Sequence, residues 1–162
     1  MTEIRFHVDG MVPQPKGSKR LVKTKTGQQL LIEDAQKLKP WMRAIEAEAS
    51  ALAARFGTLD GPLMVVAEFR FPVPQARRHL GRWWKTSAPD LDKLMRGLGD
   101  ALTNSKLIHD DARICALNLW KVETDQWAGV IVTVRTLDKK APPGVSPSLD
   151  NLSSQPQPRS KP

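Results

Sequence analysis

Pro62-Leu63-Met64-Val65-Val66-Ala67-Glu68-Phe69-Arg70-Phe71 is a run of aliphatic, β-branched and aromatic residues closed by Pro72 and Pro74, and it reads as a strong strand. It lies between two segments of helical period. Upstream, Trp41, Ile45, Ala49, Leu52 and Phe56 recur at spacings of three or four in an alanine-rich stretch that Asp34 caps and Gly57 stops. Pro40 places the start of that helix at or near Lys39. Downstream, from Asp90 to Asn104, Leu91, Leu94, Met95, Leu98, Ala101 and Leu102 fall on one stripe, with Asp92, Arg96, Gly99, Asp100 and Thr103 displaced from it. This is a second amphipathic helix.

Further out, Ile4-Arg5-Phe6-His7-Val8 alternates apolar with polar and stops at the turn signal Asp9-Gly10, the pattern of a half-buried strand. Arg20 to Thr24 and Gln29 to Ile32 flank Lys25-Thr26-Gly27 as a short hairpin. Val73 to Pro89 reads as a long loop rich in Arg and Trp, while Arg113 to Glu123 and Gly129 to Thr136 read as two strands that can pair antiparallel through Asp125-Gln126. The order β, basic loop, ββ, α, β, loop, α, β, β predicts an α+β domain, a mixed sheet packed against two main helices. That domain is expected over residues 1–137. Residues 138–162 form a tail, and the Pro- and Ser-rich stretch from Ala141 carries too little apolar surface to offset ordering entropy, so it is expected to be disordered.

A chain of 162 residues suits one domain, and 40% hydrophobic with 26% charged residues excludes a membrane protein and a wholly disordered chain. No apolar run is long enough to cross a bilayer, and Met1-Thr2-Glu3 leads straight into an alternating segment, so the expected location is cytoplasmic. The lone Cys115 excludes an intrachain disulfide and a multi-cysteine zinc site. Its place in a predicted strand makes it a small buried side chain in this reading, not a nucleophile. Any metal falls to oxygen ligands or to the three histidines.

Against 17 acidic residues stand 25 basic ones, a formal net charge of +8, which raises the expectation of a polyanionic partner. The bases are clustered. Lys16, Lys19, Arg20, Lys23 and Lys25 fall between Pro13 and Lys25 with no acid among them, and Arg77, Arg78, His79, Arg82 and Lys85 do the same between Gln75 and Lys85. Trp83-Trp84 sits inside the second cluster, where rings can stack on unpaired bases while the flanking Arg82 and Lys85 hold phosphate. Trp41, Trp120 and Trp127 fall on element faces and read as core or interface residues.

The acids gather elsewhere. Asp90-Leu91-Asp92 enters the second helix, and Asp110-Asp111 follows it. Helix capping and turn chemistry explain each pair taken by itself. Brought to one end of the helix, the same carboxylates repel one another unless a cation neutralises them, which invites a hard divalent ion such as Mg²⁺. An acidic patch ringed by Lys and Arg is arranged like a phosphodiesterase, with bases for the backbone and carboxylates for the metal. His109 has three readings, a ligand, a general base or a turn residue.

The run Asp90-Leu91-Asp92-Lys93-Leu94, through Gly99-Asp100-Ala101-Leu102-Thr103, to Ile108-His109-Asp110-Asp111-Ala112 closely resembles the central motif of the RusA family of Holliday-junction resolvases, D-L-D-N-L, then D-A-L, then D-D. The opening, a first strand leading to Gly10, Pro15 and Lys16, is also similar, and with the order of elements the resemblance spans roughly residues 3–136. It implies a small homodimeric, Mg²⁺-dependent endonuclease, with Mn²⁺ able to substitute, that places paired nicks in four-way DNA junctions during recombination and repair. Position by position, the resemblance makes Asp90, Asp92 and Asp111 metal and catalytic carboxylates and Asp110 a supporting residue. Where the family places an important lysine this chain has Arg96, which keeps the charge but does not readily give up a proton; Lys93 replaces the usual Asn. Lys16, Lys19, Arg20, Arg77, Arg78, Arg82, Trp83 and Lys85 are the expected DNA contacts. Three other readings stay open: a nuclease of the same fold acting on flaps, forks or other branched DNA, a DNA-binding module without catalysis, and a structural reading in which the acids are caps and the bases a solubilising surface with negligible, salt-insensitive DNA affinity.

Overall fold

The computed structural model describes residues 2–17, 19–23, 29–33 and 35–140. The turn at Lys25-Thr26-Gly27, the Asp34 cap and the tail from Ala141 lie outside the described residues. The elements are β1 (Glu3–Asp9), β2 (Lys19–Lys23), β3 (Gln29–Glu33), α1 (Ala35–Phe56), β4 (Leu63–Pro72), β5 (Trp83–Trp84), α2 (Leu91–Asn104), β6 (Ile114–Thr124) and β7 (Gly129–Thr136), with 3₁₀ turns at Gln75–Leu80 and Asp111–Arg113.

Five strands form one mixed sheet in the order β1-β7-β4-β6-β5, and β2 and β3 pair antiparallel as a separate ribbon. The α+β architecture is therefore as the sequence predicts. Alternate side chains of β4, Leu63, Val65, Ala67, Phe69 and Phe71, are all buried. Val65, Ala67 and Phe69 lie in register with Val134, Val132 and Val130 of β7, which in turn face Ile4, Phe6 and Val8 of β1. Onto this face pack Leu38, Trp41, Ile45 and Ala49 of α1 and Leu94, Leu98, Ala101 and Leu102 of α2. Burial of these two stripes holds the helices to the sheet. Gly57, at φ +79°, ends α1 by donating its N–H to the Ala53 carbonyl. No helix among the described residues is long and apolar enough to cross a membrane.

Three local expectations change. The helix α1 begins at Ala35, not at Lys39, and Pro40 lies within it. Leu38 is buried in the core, and anchoring that first turn offsets the single backbone bond the proline cannot donate. Strands β6 and β7 do not pair with each other: β4 lies between them, parallel to β6 and antiparallel to β7. A strand whose inward side chains are buried along its length draws neighbours on both sides. The chain passes the end of β4 where the Val73 N–H meets the Thr124 carbonyl at 3.0 Å. Finally, the expected loop 73–89 contains a 3₁₀ turn and the two-residue strand β5, which pairs with β6 through Trp83↔Glu123 and Trp84↔Val122.

Cys115 is a fourth correction, because its side chain is exposed. The ladder between β4 and β6 shifts register at its start: Leu63 pairs with Ile114 and Met64 with Ala116, so Cys115 is the extra residue of a bulge. Alternation predicts burial only where the register is unbroken.

Candidate active site

At its N-terminal end α2 enters directly from Asp90, whose extended backbone (φ −70°, ψ 143°) makes it the N-cap residue. Its carboxylate makes no capping hydrogen bond. It accepts instead from Lys93 Nζ at 2.9 Å, and the Lys93 hydrogen bond and charge, with Lys121 contributing more weakly, hold the Asp90 carboxyl below its ordinary range. Asp92, in the first turn, faces Arg96 one turn on at 4.0 Å.

The second acidic pair divides in function. Asp110 caps the 3₁₀ turn by accepting from the Ala112 N–H at 2.8 Å, so capping explains this member of the pair. Asp111 opens the turn and packs over Gly99 of α2. A Cβ on Gly99 would lie 3.6 Å from Asp111 Cβ and 3.8 Å from Asp111 Oδ2, which shows how closely the carboxylate approaches the helix.

Asp92, Arg96, Gly99 and Asp111 share one groove of about 470 Å³, floored by Leu91, Met95, Ile114, Leu117 and Leu119. The fold thus brings two of the three predicted metal carboxylates to one surface together with Arg96. Asp90 is not part of that lining, being turned toward Lys93. Among the described residues no three His, Cys, Asp or Glu side chains converge as metal ligands. The two acids that do share the groove are exposed hard-oxygen donors beside a guanidinium, a donor set that suits a Mg²⁺-type ion taking few protein ligands and the rest of its shell from phosphate and water. The backbone N–H of His109 donates to the Leu59 carbonyl at 3.0 Å, which ties the turn after α2 to the segment before β4. Asp60 is held below the ordinary range, first by the Gly61 N–H and then by Arg113.

The predicted DNA contacts are placed less simply. Lys16 is paired with Asp100 of α2, and its own N–H donates to the Lys93 carbonyl at 3.0 Å, so the basic loop after β1 is tied across the helix that bears Asp90 and Asp92. Arg77 pairs with the buried Glu123 at 2.6 Å, Arg82 with Glu68 at 2.8 Å, and Lys85 folds onto Glu123, Ser87 and the Phe71 ring. Arg78 is exposed and makes no ion pair among the described residues. Lys19 and Arg20 lie on β2, and their side chains are outside the described set. Trp83 and Trp84 are 44% and 66% exposed, so of the two rings read as able to stack on bases Trp84 presents the larger surface, although Trp83 alone is among the expected DNA contacts. Of the remaining tryptophans, Trp41 is core, whereas Trp127 lies against His7 and under Arg70, whose guanidinium carbon is 4.3 Å from the ring centre.

Lys121 is absent from the sequence reading, and Lys93 enters it only as the replacement for the usual Asn. Lys93 sits at an i+3 spacing from Asp90 that helix geometry alone makes a pair. Lys121 reaches the site from a strand distant in sequence, and no local pattern signals it.

A family model described as endodeoxyribonuclease RusA matches residues 11–135. The chain is also similar to the crossover junction endodeoxyribonuclease rusA of Lactococcus phage r1t, 37% identical over 67 residues, which are 40% of this chain and 48% of that protein. It therefore spans about half the length of this curated relative. The family match covers most of the chain, including both helices and the two acidic pairs around α2, and the protein belongs to the RusA endodeoxyribonuclease family.

Proposed function

We propose that this chain is a divalent-metal-dependent, structure-selective endodeoxyribonuclease that resolves four-way DNA junctions by paired nicks, acting as a homodimer in recombination and repair. The observation that carries the reading is the groove in which Asp92, Asp111 and Arg96 meet. Two carboxylates and a guanidinium over an apolar floor match phosphodiester hydrolysis, with acids for a metal and a fixed cation for phosphate. The name of the phage relative supports the junction as substrate. The two-fold symmetry of a four-way junction supports a C2 dimer with one groove per subunit.

Asp92 and Asp111 would hold the metal, joined by Asp90 once its carboxylate is released from Lys93. A divalent ion, when bound, supplies Lewis acidity toward a phosphate oxygen and lowers the pKa of a coordinated water. Arg96 offers a forked donor to a phosphate oxygen at the same groove, and as arginine it positions charge without serving as a proton donor. Lys93 holds the Asp90 carboxyl in its charged form, the form in which it would serve as a metal ligand. Leu117 and Leu119 supply the apolar floor over which a phosphate bound by Arg96 would lie.

The test is cleavage of a labelled synthetic four-way junction beside linear duplex and flap DNA, with Mg²⁺ or with EDTA, for wild type and Asp92→Asn. Symmetric nicks that need Mg²⁺ and vanish in the variant, while junction binding survives, are the expected result. Faster cutting of flaps than of junctions would move the assignment to a broader branched-DNA nuclease. Binding without cutting under Mg²⁺ or Mn²⁺ would leave a DNA-binding module.

A further inference from the structure

Lys121 of β6 is a half-buried cation on the core-facing side of the sheet. In the parallel ladder it is in register with Phe69, a fully buried residue of the helix-bearing face, so its side chain leaves the sheet on the side of the core and of α2. A half-buried ammonium there is steadied by hydrogen bonds to nearby acceptors. It finds two: Lys121 Nζ donates to the Pro89 carbonyl at 2.7 Å and to the Ser87 carbonyl at 2.8 Å. The Pro89 carbonyl belongs to the peptide group that supplies the backbone nitrogen of Asp90. The main chain of the same residue holds the other end of this loop, since the Lys121 carbonyl accepts from the Lys85 N–H at 3.0 Å. One residue thus grips segment 85–90 at both ends.

From these contacts we infer that Lys121 is a positioning residue for cleavage: its ammonium clamps the two carbonyls before α2 and so sets where Asp90, and behind it Asp92, stand relative to the groove on β6. The inference rests on the proposed role of these carboxylates. Lys121 does not line the groove, and two of its three ammonium donors are engaged by backbone oxygens of the loop, so the contacts it makes are to the loop before α2. The clamp explains why a lysine stands on the inward face of β6 just where Leu117 and Leu119 give way to the loop. It also gives the loop a charge-assisted anchor stronger than a neutral hydrogen bond.

The experiment compares wild type with Lys121→Met, Lys121→Arg and Asp90→Asn in three measurements. These are turnover on saturating four-way junction with Mg²⁺, junction affinity in EDTA, and amide hydrogen exchange of residues 86–92 in the metal-free protein. Supporting residues behind metal ligands typically cost about 10- to 100-fold when removed. Lys121→Met is therefore expected to lose turnover by that factor while junction affinity stays within about twofold. Exchange across 86–92 should quicken without a change elsewhere in the sheet. Lys121→Arg, which keeps a cation with several donors, should recover most of the turnover and of the protection. Wild-type turnover in Lys121→Met would overturn the inference, as would a loss confined to junction affinity, which would mark a phosphate contact. Should Lys121→Met fail to fold by circular dichroism, Lys121→Gln, an uncharged donor of shorter reach, replaces it with the same expected loss and the same refuting results. Asp90→Asn separates the two layers. If it cuts like wild type, the role proposed for Asp90 falls, and exchange over 86–92 still decides whether Lys121 holds the loop.

Discussion

Gly99 offers a two-sided test of the groove. It is a buried residue in the interior of α2, and a Cβ built there would meet Asp111 Cβ at 3.6 Å, Asp111 Oδ2 at 3.8 Å and Met95 Cε at 3.8 Å, all ordinary van der Waals distances. Alanine therefore fits without moving Asp111. Replacing a mid-helix glycine with alanine is worth about 0.8–1 kcal/mol from backbone entropy alone. Burying the added methyl contributes up to about 0.8 kcal/mol more. Gly99→Ala is expected to stabilise the protein by about 1–1.5 kcal/mol, which for a domain of this size raises Tm by roughly 2–6 °C. Junction cleavage should persist, because the carboxylate keeps its place. Gly99→Leu carries three further carbons into the space between the helix and Asp111, and its cleavage should fall by more than about tenfold at unchanged junction affinity. Urea unfolding followed by far-UV circular dichroism, with the m-value held constant, measures the first effect, and gel-resolved cleavage measures the second. Destabilisation of Gly99→Ala by more than about 1 kcal/mol would mean that Asp111 packs against α2 more tightly than described, and full activity of Gly99→Leu would remove Asp111 from the chemistry.

Gly129, at φ +155°, begins β7, and a Cβ there would lie 1.9 Å from the Val8 carbonyl oxygen, a backbone atom fixed in the β1–β7 ladder. Gly129→Ala should cost at least about 3 kcal/mol in chemical denaturation, and a variant as stable as wild type would contradict the register at that strand. Because Lys93 depresses the Asp90 carboxyl, the charged form is favoured in the folded chain; that contribution is complete above the ordinary carboxylate range and is lost as pH falls through the lower folded value. Lys93→Met should move the Asp90 midpoint upward in a carboxyl ¹³C NMR titration, and an unmoved midpoint would assign the depression to some other group. Cys115, turned outward by the bulge on β6, should react with a thiol reagent such as DTNB in the native protein. A requirement for denaturant would return it to the interior.

Much of this protein follows from local patterns. The stripe Leu94, Leu98, Ala101 and Leu102 has helical period, the alternation in β1 and β4 has period two, and Gly57 stops a helix; each depends only on residues a few positions apart, and each appears where the pattern puts it. The acidic pairs are equally legible, since D-x-D before an apolar stripe and Asp-Asp after it are local features. What those pairs do is not local. Asp110 and Asp111 are adjacent and of identical chemistry, yet one caps a turn and the other enters the groove, because backbone direction at that turn decides which carboxylate faces α2. Neutralisation of the basic loops by Asp100, Glu68 and Glu123 is likewise invisible in a charge count, since each partner lies on another element.

Local patterns suffice for the main helices and long strands, the α+β class and the segments that carry the acids, because hydrophobic period and turn chemistry act over a few residues. The order of the sheet, the bulge that exposes Cys115, the two-residue strand bearing Trp83 and Trp84, and the reach of Lys121 to the loop before Asp90 arise from long-range packing. Each of these is settled by which strand lies beside which. Strand partners are chosen by competition among burial, ladder register and charge satisfaction over the whole chain, and no window of neighbouring residues contains that competition.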